Sequence, residues 1–178
     1  MSKIKLNLGC GSKLYKESAG WVNVDIEKKT ILPEDVEYNE WDITNMEELF
    51  PNNYADEIHA YHVVEHFYKE DVVEILKEWH RILKPGGTIH IEMPDILKSA
   101  MNLVFGMFHG DQNLINRMGV QGFYSDVERG NEHSFRKWGW TMSSFAPLLE
   151  AAGFKDIRMT PVQTHMGDLR DFRIEGTK

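Results

Sequence analysis

The stretch "IKLNLGCGS", Ile4 to Ser12, decides the fold class of this chain. It alternates apolar and polar side chains up to Leu8, which predicts a β-strand that runs directly into a glycine turn. Gly9 and Gly11 carry no Cβ, so the backbone of the turn can come close to a ligand at the carboxyl end of the strand. The stretch therefore predicts the first strand of an α/β sheet and a ligand at the edge where that strand ends.

The rest of the sequence continues this α/β pattern. Four further strands are predicted after the glycine turn, over residues 22–26, 36–41, 57–61 and 88–93. A helix precedes the last of them and ends at "KPGG", residues 84–87. Its apolar side chains share one helical face: Val72, Ile75, Leu76, Trp79 and Ile82. A second helix is predicted from Ser143 to Ala152, with a glycine stop directly after it.

Two final strands close the predicted sheet. Residues 154–162 and 168–175 both have strand character, and the short link "QTHMG" between them requires an antiparallel hairpin. We therefore expect an α/β sandwich, mostly parallel, with a C-terminal antiparallel hairpin. Residues 102–137 lack sustained periodicity, and we expect them to be partly helical and to form a lid over the site.

Length and composition narrow the classes of protein to consider. At 178 residues the chain fits one domain, which we expect to span residues 1–178. The formal net charge of -8 argues against DNA as a partner and makes RNA a poorer one. Cys10 is the only cysteine, which excludes an internal disulfide. The first residues show no signal core, and no apolar run reaches the roughly 20 residues that cross a bilayer. We therefore expect a cytoplasmic protein.

Acidic side chains end the second and third predicted strands. Asp25 closes "VNVD", and Asp42 follows "EW". Because the carboxyl ends of parallel strands meet at one edge, we expect both carboxylates beside the glycine turn, where Asp25 can accept both hydroxyls of a ribose. The turn is not a dinucleotide fingerprint, since Lys13 and Leu14 stand where a third glycine would be, and the P-loop pattern is absent.

A second motif is "HVVEH", in which His62, Glu65 and His66 have the H-x-x-E-H spacing of one class of zinc peptidase. Residues three and four apart share a helical face, so these side chains can converge on a metal. A peptidase also needs a further ligand and a large substrate cleft, for which a compact sheet leaves little room. The motif therefore indicates a polar cluster after the fourth strand. It either carries chemistry or, through Glu65 and His66, orients the helix or the lid.

In their order along the chain, these motifs resemble the class I S-adenosylmethionine-dependent methyltransferases. The ordered set is "LNLGCGS", "VNVDIE", "EWDIT", "HVVEHF", "LKPGGTIHIEMPD" and "LLEAAGFKDI", and it spans nearly the whole chain. The likeness is greatest to small predicted methyltransferases in which "LNLGCG" leads quickly into "GWVNVD", with little room for the usual first helix. The resemblance implies a Rossmann-like methyltransferase fold, an enzyme, and S-adenosylmethionine as its cofactor.

The resemblance also implies which residues bind the cofactor. The glycine turn and the loop at residues 12–19 line the methionine part, Asp25 accepts the ribose hydroxyls, and Asp42 takes the adenine amino group. Asn7 replaces a commonly acidic residue and hydrogen-bonds the cofactor's amino group without charge attraction. The implied cofactor-binding residues are Asn7, Gly9, Cys10, Gly11, Asp25, Ile26, Asp42, Ile43 and, near the sulfonium, His62.

Histidines are the implied catalytic residues. A hydroxyl acceptor has to lose its proton, and His62, His66 or His133 can take it as general base. Some methyltransferases hold a divalent metal ion with Glu-x-x-Glu-His at this position. That implies a second version of the site, with a metal bound by His62, Glu65, His66 and His133.

The acceptor is the least determined part of the prediction. The chain lacks the [DN]-P-P-[YF] pattern of enzymes that methylate exocyclic base amines, which favours a hydroxyl on a sugar or another small molecule. Two alternatives stay open. The chain can be a partner subunit that binds S-adenosylmethionine without transferring methyl, or a metal-dependent enzyme that methylates RNA hydroxyls.

Overall fold

A computed structural model describes residues 3–125, 134–163 and 169–178, and the strands among them form one sheet. The strands are β1 (Lys5–Leu8), β2 (Trp21–Asp25), β3 (Glu37–Glu40), β4 (Ala55–Tyr61), β5 (Leu83–Pro94), β6 (Lys155–Thr160) and β7 (Asp171–Thr177). Their order across the sheet is β3-β2-β1-β4-β5-β7-β6. Strands β1 to β5 pair in parallel, whereas β7 is antiparallel to both β5 and β6. The predicted fold class is confirmed.

α-Helices lie in two of the connections between these strands, from β4 to β5 and from β5 to β6. The α-helices of the described residues are α1 (Val72–Ile82), α2 (Ile96–His109), α3 (Gln121–Tyr124) and α4 (Met142–Ala151). Two 3-10 turns cover Glu17–Ala19 and Val64–His66, and a π-helical segment covers Leu114–Val120. No helix in the described part of the chain is both long and apolar enough to cross a bilayer.

One face of the sheet is apolar and packs against α1 and α4. The buried side chains of α1 are the five that share the predicted helical face: Val72, Ile75, Leu76, Trp79 and Ile82. From α4, Phe145 and Leu149 enter the same core. Burial of each large apolar side chain stabilises the fold by roughly 1.5–3 kcal/mol. The indole of Trp79 also donates a hydrogen bond of 2.9 Å to the carbonyl of Ile43, which ties α1 to the carboxyl edge of the sheet.

The other face of the sheet carries polar side chains, because alternate residues of a strand point to opposite faces. Glu57, His59 and Tyr61 occupy this face on β4, beside His90 on β5 and Arg173 on β7. Helices α1 and α4 contact each other on the apolar face. On the polar face, Trp21 packs against His59 with ring centroids 4.6 Å apart, and Arg173 is buried.

A short loop replaces the first helix expected in this fold, as the spacing of "LNLGCG" and "GWVNVD" predicts. Between β1 and β2 the chain makes only the 3-10 turn at Glu17–Ala19. The buried amide of Asn7 donates to the carbonyl of Lys13 at 2.8 Å and to Oδ1 of Asn23 at 2.9 Å. Asn23 in turn donates to the carbonyl of Tyr15 and accepts from its amide. Two asparagines therefore hold the loop against the sheet.

The structure differs from the sequence prediction mainly around β5 and α2. Strand β5 begins at Leu83, five residues earlier than predicted, because Leu83 pairs with Ala55 before the register shifts. Helix α2 was not predicted before residue 102. Its cap was readable in the sequence, since the carboxylate of Asp95 accepts from the amides of Leu97 and Lys98. Residues 102–124 are mostly helical, in agreement with the expected partly helical segment.

Candidate active site

A cleft of about 320 Å³ lies where β1, β2 and β4 end, within the size range of small-ligand sites. Its lining includes seven of the nine predicted cofactor-binding residues. These are Gly9, Gly11, Asp25, Ile26, Asp42, Ile43 and His62, joined by Glu27, Val63, His66, Phe67, Ser134 and Lys137. The parallel strands therefore bring the glycine turn, both edge carboxylates and the "HVVEH" motif to one place.

The glycine turn needs glycine at position 9 for two reasons. Gly9 has φ of 62°, and Gly11 has φ of 49°, both in the left-handed region that other residues rarely adopt. A Cβ on Gly9 would also lie 2.5 Å from Cγ2 of Val63. The turn is thus packed against the start of "HVVEH", whereas the space at Gly11 is open toward the cleft.

Asp25 both positions the glycine turn and faces the cleft. Its Oδ2 accepts from the amide of Gly11 at 2.7 Å, and its Oδ1 accepts from the amide of Glu27 at 3.0 Å. An ionised carboxylate has about four acceptor sites. Two sites are therefore left for ribose hydroxyls, and the predicted role of Asp25 is compatible with its contacts.

Asn7 and Cys10 lie outside the cleft lining. Both hydrogens of the Asn7 amide are donated within the protein, and a cofactor ammonium, which only donates, could bond only to its Oδ1. Burial, together with the charge of Asp25, raises the pKa of the Cys10 thiol to about 12, so the thiol stays protonated at neutral pH. The direct cofactor contacts predicted for these two side chains stay predictions.

The side of the cleft that is predicted to take adenine is formed by the residues after β3. The Oδ1 atom of Asp42 accepts from the amide of Thr44 at 2.9 Å and from its hydroxyl at 2.7 Å. The side chain of Asp42 is exposed, whereas Ile43 is buried and gives an apolar floor. An exposed carboxylate fixed beside an apolar surface can accept from an amino group on a planar ring.

His62 is held as a cation at the mouth of the cleft. Its backbone has φ of 56°, and its amide donates to the carbonyl of Glu92 at 2.7 Å. Its Nδ1 lies 3.5 Å from Oε1 of Glu65, and its Nε2 lies 3.4 Å from Oδ2 of Asp171. Burial by itself would lower the pKa of His62, but the Asp171 and Glu65 carboxylates raise it to about 9. At neutral pH this imidazole is already protonated and accepts no further proton.

Glu65 anchors the segment that follows residue 133. Its backbone carbonyl accepts from the amide of Lys137 at 2.8 Å and from that of Trp138 at 3.3 Å. Its buried carboxylate lies 3.5 Å from Nε of the buried Arg136. Burial opposes ionisation of Glu65, but His62, His66 and Arg136 lower its pKa well below the ordinary value. These contacts support the alternative in which Glu65 orients the lid.

Of the two histidines in the motif, His66 is the one that can accept a proton. It lines the cleft, and its Nδ1 lies 2.9 Å from the carbonyl oxygen of Phe135. A carbonyl only accepts hydrogen bonds, so neutral His66 carries its proton on Nδ1 and has its lone pair on Nε2. In this tautomer Nε2 is the nitrogen that can act as a general base.

The predicted metal quartet is not assembled by the described residues. His133 lies outside the described residues. Within them, His62, Glu65 and His66 do not form a group of three ligand atoms within 4.8 Å of one another, whereas His62, Glu92 and Asp171 do. His62 is also protonated between two carboxylates, and a metal ligand must be neutral imidazole. Because His133 is not among the described residues, the metal version of the site stays a prediction.

Sequence reasoning missed three buried charges that shape this site. Asp171, Glu92 and Arg136 lie behind His62 and Glu65, and the first two come from β7 and β5. Burial opposes ionisation of Asp171, but His62 and Arg170 lower its pKa. The sequence contained a signal for Glu92 and Asp171, because each is a charged residue within a predicted strand of the central sheet. Such residues are rarely buried without a partner.

Comparison with known proteins agrees with this geometry. A family model described as a methyltransferase domain matches residues 6–91, which include the glycine turn, both edge carboxylates and "HVVEH". No curated protein sequence matches the chain.

Solved structures of S-adenosylmethionine-dependent methyltransferases share the fold over 99% of this chain. One from Archaeoglobus fulgidus is 17% identical, with a TM-score of 0.66 and 86% of its own chain covered. One from Methanosarcina mazei is 16% identical, with a TM-score of 0.64 and 92% covered. The 1,6-didemethyltoxoflavin-N1-methyltransferase of Burkholderia thailandensis, solved with S-adenosylhomocysteine, is 15% identical over 99% of this chain and 71% of its own, with a TM-score of 0.65.

Proposed function

We propose that this chain, a class I S-adenosylmethionine-dependent methyltransferase by its matched domain and its fold, methylates a hydroxyl oxygen of a small-molecule acceptor. The observation that carries the proposal is the contact of 2.9 Å between Nδ1 of His66, a residue that lines the cleft, and the carbonyl of Phe135, which leaves the Nε2 lone pair available as a base. S-adenosylmethionine supplies a methyl group that its sulfonium already activates. The protein's part is to bind, to orient and to take the acceptor's proton.

In this proposal, residues at the carboxyl edge of the sheet bind the cofactor. The turn from Gly9 to Gly11 gives the close backbone approach for the methionine part, and Asp25 offers acceptor sites to the ribose. Asp42 and the floor at Ile43 receive the adenine ring. This lining is compatible with the cofactor, because it combines two glycines, two carboxylates that can accept hydrogen bonds and an apolar surface.

The acceptor site adjoins the cofactor cleft. A second cleft of about 320 Å³ shares Lys137 with the first and is lined by Ile96, Phe123, Tyr124, Arg136, Lys137, Trp138 and Gly139. Aromatic side chains such as Tyr124 and Trp138 offer flat apolar faces, which stack well on a sugar or a planar small molecule. The net charge of -8 favours such an acceptor over RNA.

His66 is the proposed general base. The carbonyl of Phe135 fixes its Nδ1 proton, so Nε2 accepts the proton of the acceptor hydroxyl as the oxygen attacks in line. The resulting imidazolium keeps its hydrogen bond to Phe135. His62 has a different role in this scheme, because it is already charged and holds Asp171 and Glu65 in place.

A methyl-release assay over a panel of hydroxyl-bearing small molecules tests this proposal. For an acceptor found with the unchanged chain, His66→Gln should lower kcat by roughly 10²–10⁴-fold, the usual contribution of a general base. Affinity for S-adenosylhomocysteine should change less than about twofold, since His66 acts on the acceptor's proton. His109→Gln, at an exposed site on α2, is the matched control and should leave both values unchanged.

Two outcomes would contradict the proposal. Full activity of His66→Gln would remove the general base. Cofactor binding by the unchanged chain without any methyl release over the panel would favour the non-catalytic partner subunit instead.

A further inference from the structure

The polar face of the sheet carries a histidine cluster that is separate from the cofactor cleft. Glu57 and His59 are two residues apart on β4, so they share this face, and His90 lies directly opposite His59 on β5. One ligand atom from each of the three lies within 4.8 Å of the others. Neighbouring strands of a hydrogen-bonded sheet hold these three side chains in fixed register.

One ring nitrogen of the cluster is buried without a hydrogen-bond partner. Nε2 of His59 has none among the described residues, and it lies 3.5 Å from Oε2 of Glu57. A buried polar atom without a partner is unfavourable, and a ligand that supplies a partner would relieve this. Two ligand atoms that share one tetrahedral zinc ion are about 3.3 Å apart, from bond lengths near 2.0 Å. The observed spacing of His59 and Glu57 is close to that value.

The other nitrogen of each ring is already oriented. Nδ1 of His59 lies 2.8 Å from the hydroxyl of Tyr61, and Nδ1 of His90 lies 2.9 Å from Oε1 of Glu175. Metal-binding histidines commonly donate their second ring N–H to such a carboxylate or other polar group. With Nδ1–H of His90 donated to Glu175, its Nε2 is left to ligate. A metal there would replace its present contact with the Thr88 hydroxyl at 3.1 Å.

Carboxylates offset the positive charge beside the cluster. The guanidinium of Arg173 contacts the ring of His90, with its Nη2 3.1 Å from Nδ1. Oε1 of Glu175 lies 3.3 Å from the same Nη2 and 2.9 Å from Nδ1 of His90. Glu57 is a second carboxylate and would itself be a ligand of the ion.

We propose that Glu57, His59 and His90 form a binding site for a divalent transition metal of the zinc class on the polar face of the sheet. Two imidazoles and one carboxylate are a ligand set that zinc accepts, with water in the fourth position. The ion would join β4 to β5 and satisfy the buried Nε2 of His59. This site is distinct from the cofactor cleft and does not depend on the acceptor.

Titration of the untagged, metal-free chain with Zn²⁺ against a chromophoric chelator tests the site. We expect one zinc ion bound per chain on this face. His59→Gln and His90→Gln should each weaken zinc binding at least about tenfold. Glu175→Gln, which leaves all three ligands in place and changes the partner of His90, should weaken it about tenfold. Zinc should raise the Tm of the unchanged chain and not that of His59→Gln.

The controls separate this site from other histidines. His109→Gln removes an exposed imidazole. His62→Gln removes the imidazole of the other group of possible ligands, which also contains Glu92 and Asp171. Neither should change the affinity of the proposed site. Absence of zinc binding would overturn the proposal. So would unchanged affinity in both His90→Gln and Glu175→Gln, or loss of affinity in His62→Gln alone.

Discussion

Removal of the His62 imidazole should abolish most of the pH dependence of folding stability on the alkaline side of neutrality. Burial opposes protonation of His62, but Asp171 and Glu65 raise its pKa from 6.5 to about 9. Because the folded pKa is the higher one, this contribution is fully present below pH 6.5 and is lost as the pH rises through about 9. At about 1.4 kcal/mol per pH unit, the interval corresponds to about 3 kcal/mol of unfolding free energy.

Urea unfolding at pH values from about 7 to about 9, where the unfolded forms of His59 and His90 are already mostly neutral, measures most of this contribution. The unchanged chain and His109→Gln should both lose about 2 kcal/mol across this interval. His62→Gln should be less stable at the acidic end and nearly independent of pH, since its amide does not titrate. Parallel decline of unfolding free energy in the unchanged chain and in His62→Gln would refute the reasoning, because the titrating group would then lie elsewhere.

Three further predictions concern the cofactor cleft and its cover. Asp25→Ala should weaken S-adenosylhomocysteine binding by about 1–2 kcal/mol in calorimetry, the size expected for a charge-assisted hydrogen bond, and unchanged affinity would remove Asp25 from the site. Gly9→Ala should weaken the same binding and lower Tm, because its Cβ would lie 2.5 Å from Val63; an unaltered Tm would show that the turn adapts. Hydrogen exchange in residues 102–137 should slow when S-adenosylhomocysteine is added, and equal exchange would count against a lid.

Much of the fold follows from local patterns in the sequence. The alternation before Gly9, the apolar face of α1 and the link "QTHMG" each act over a few residues, and all three were enough to predict a strand, a helix and the antiparallel hairpin. The glycine turn and the edge carboxylates meet because parallel strands end at one edge. That rule places Asp25 and Asp42 without any knowledge of side-chain contacts.

The contacts that set the charge of His62 and the tautomer of His66 could not be predicted from local sequence patterns. His62 is protonated because β7 brings Asp171 to its Nε2, more than a hundred residues along the chain. His66 has its tautomer because the carbonyl of Phe135 reaches it from another segment. Sequence spacing alone made His62 and His66 equivalent candidates for the general base, and only these long-range contacts separate them.

Calorimetric titration of the untagged chain with S-adenosylmethionine tests the central claim most directly. The account predicts saturable binding of one cofactor per chain, with affinity that falls in Asp25→Ala and persists in His66→Gln. Absence of binding by the unchanged chain, even at millimolar cofactor, would contradict the claim that the cleft at the end of β1 is a methyl-donor site.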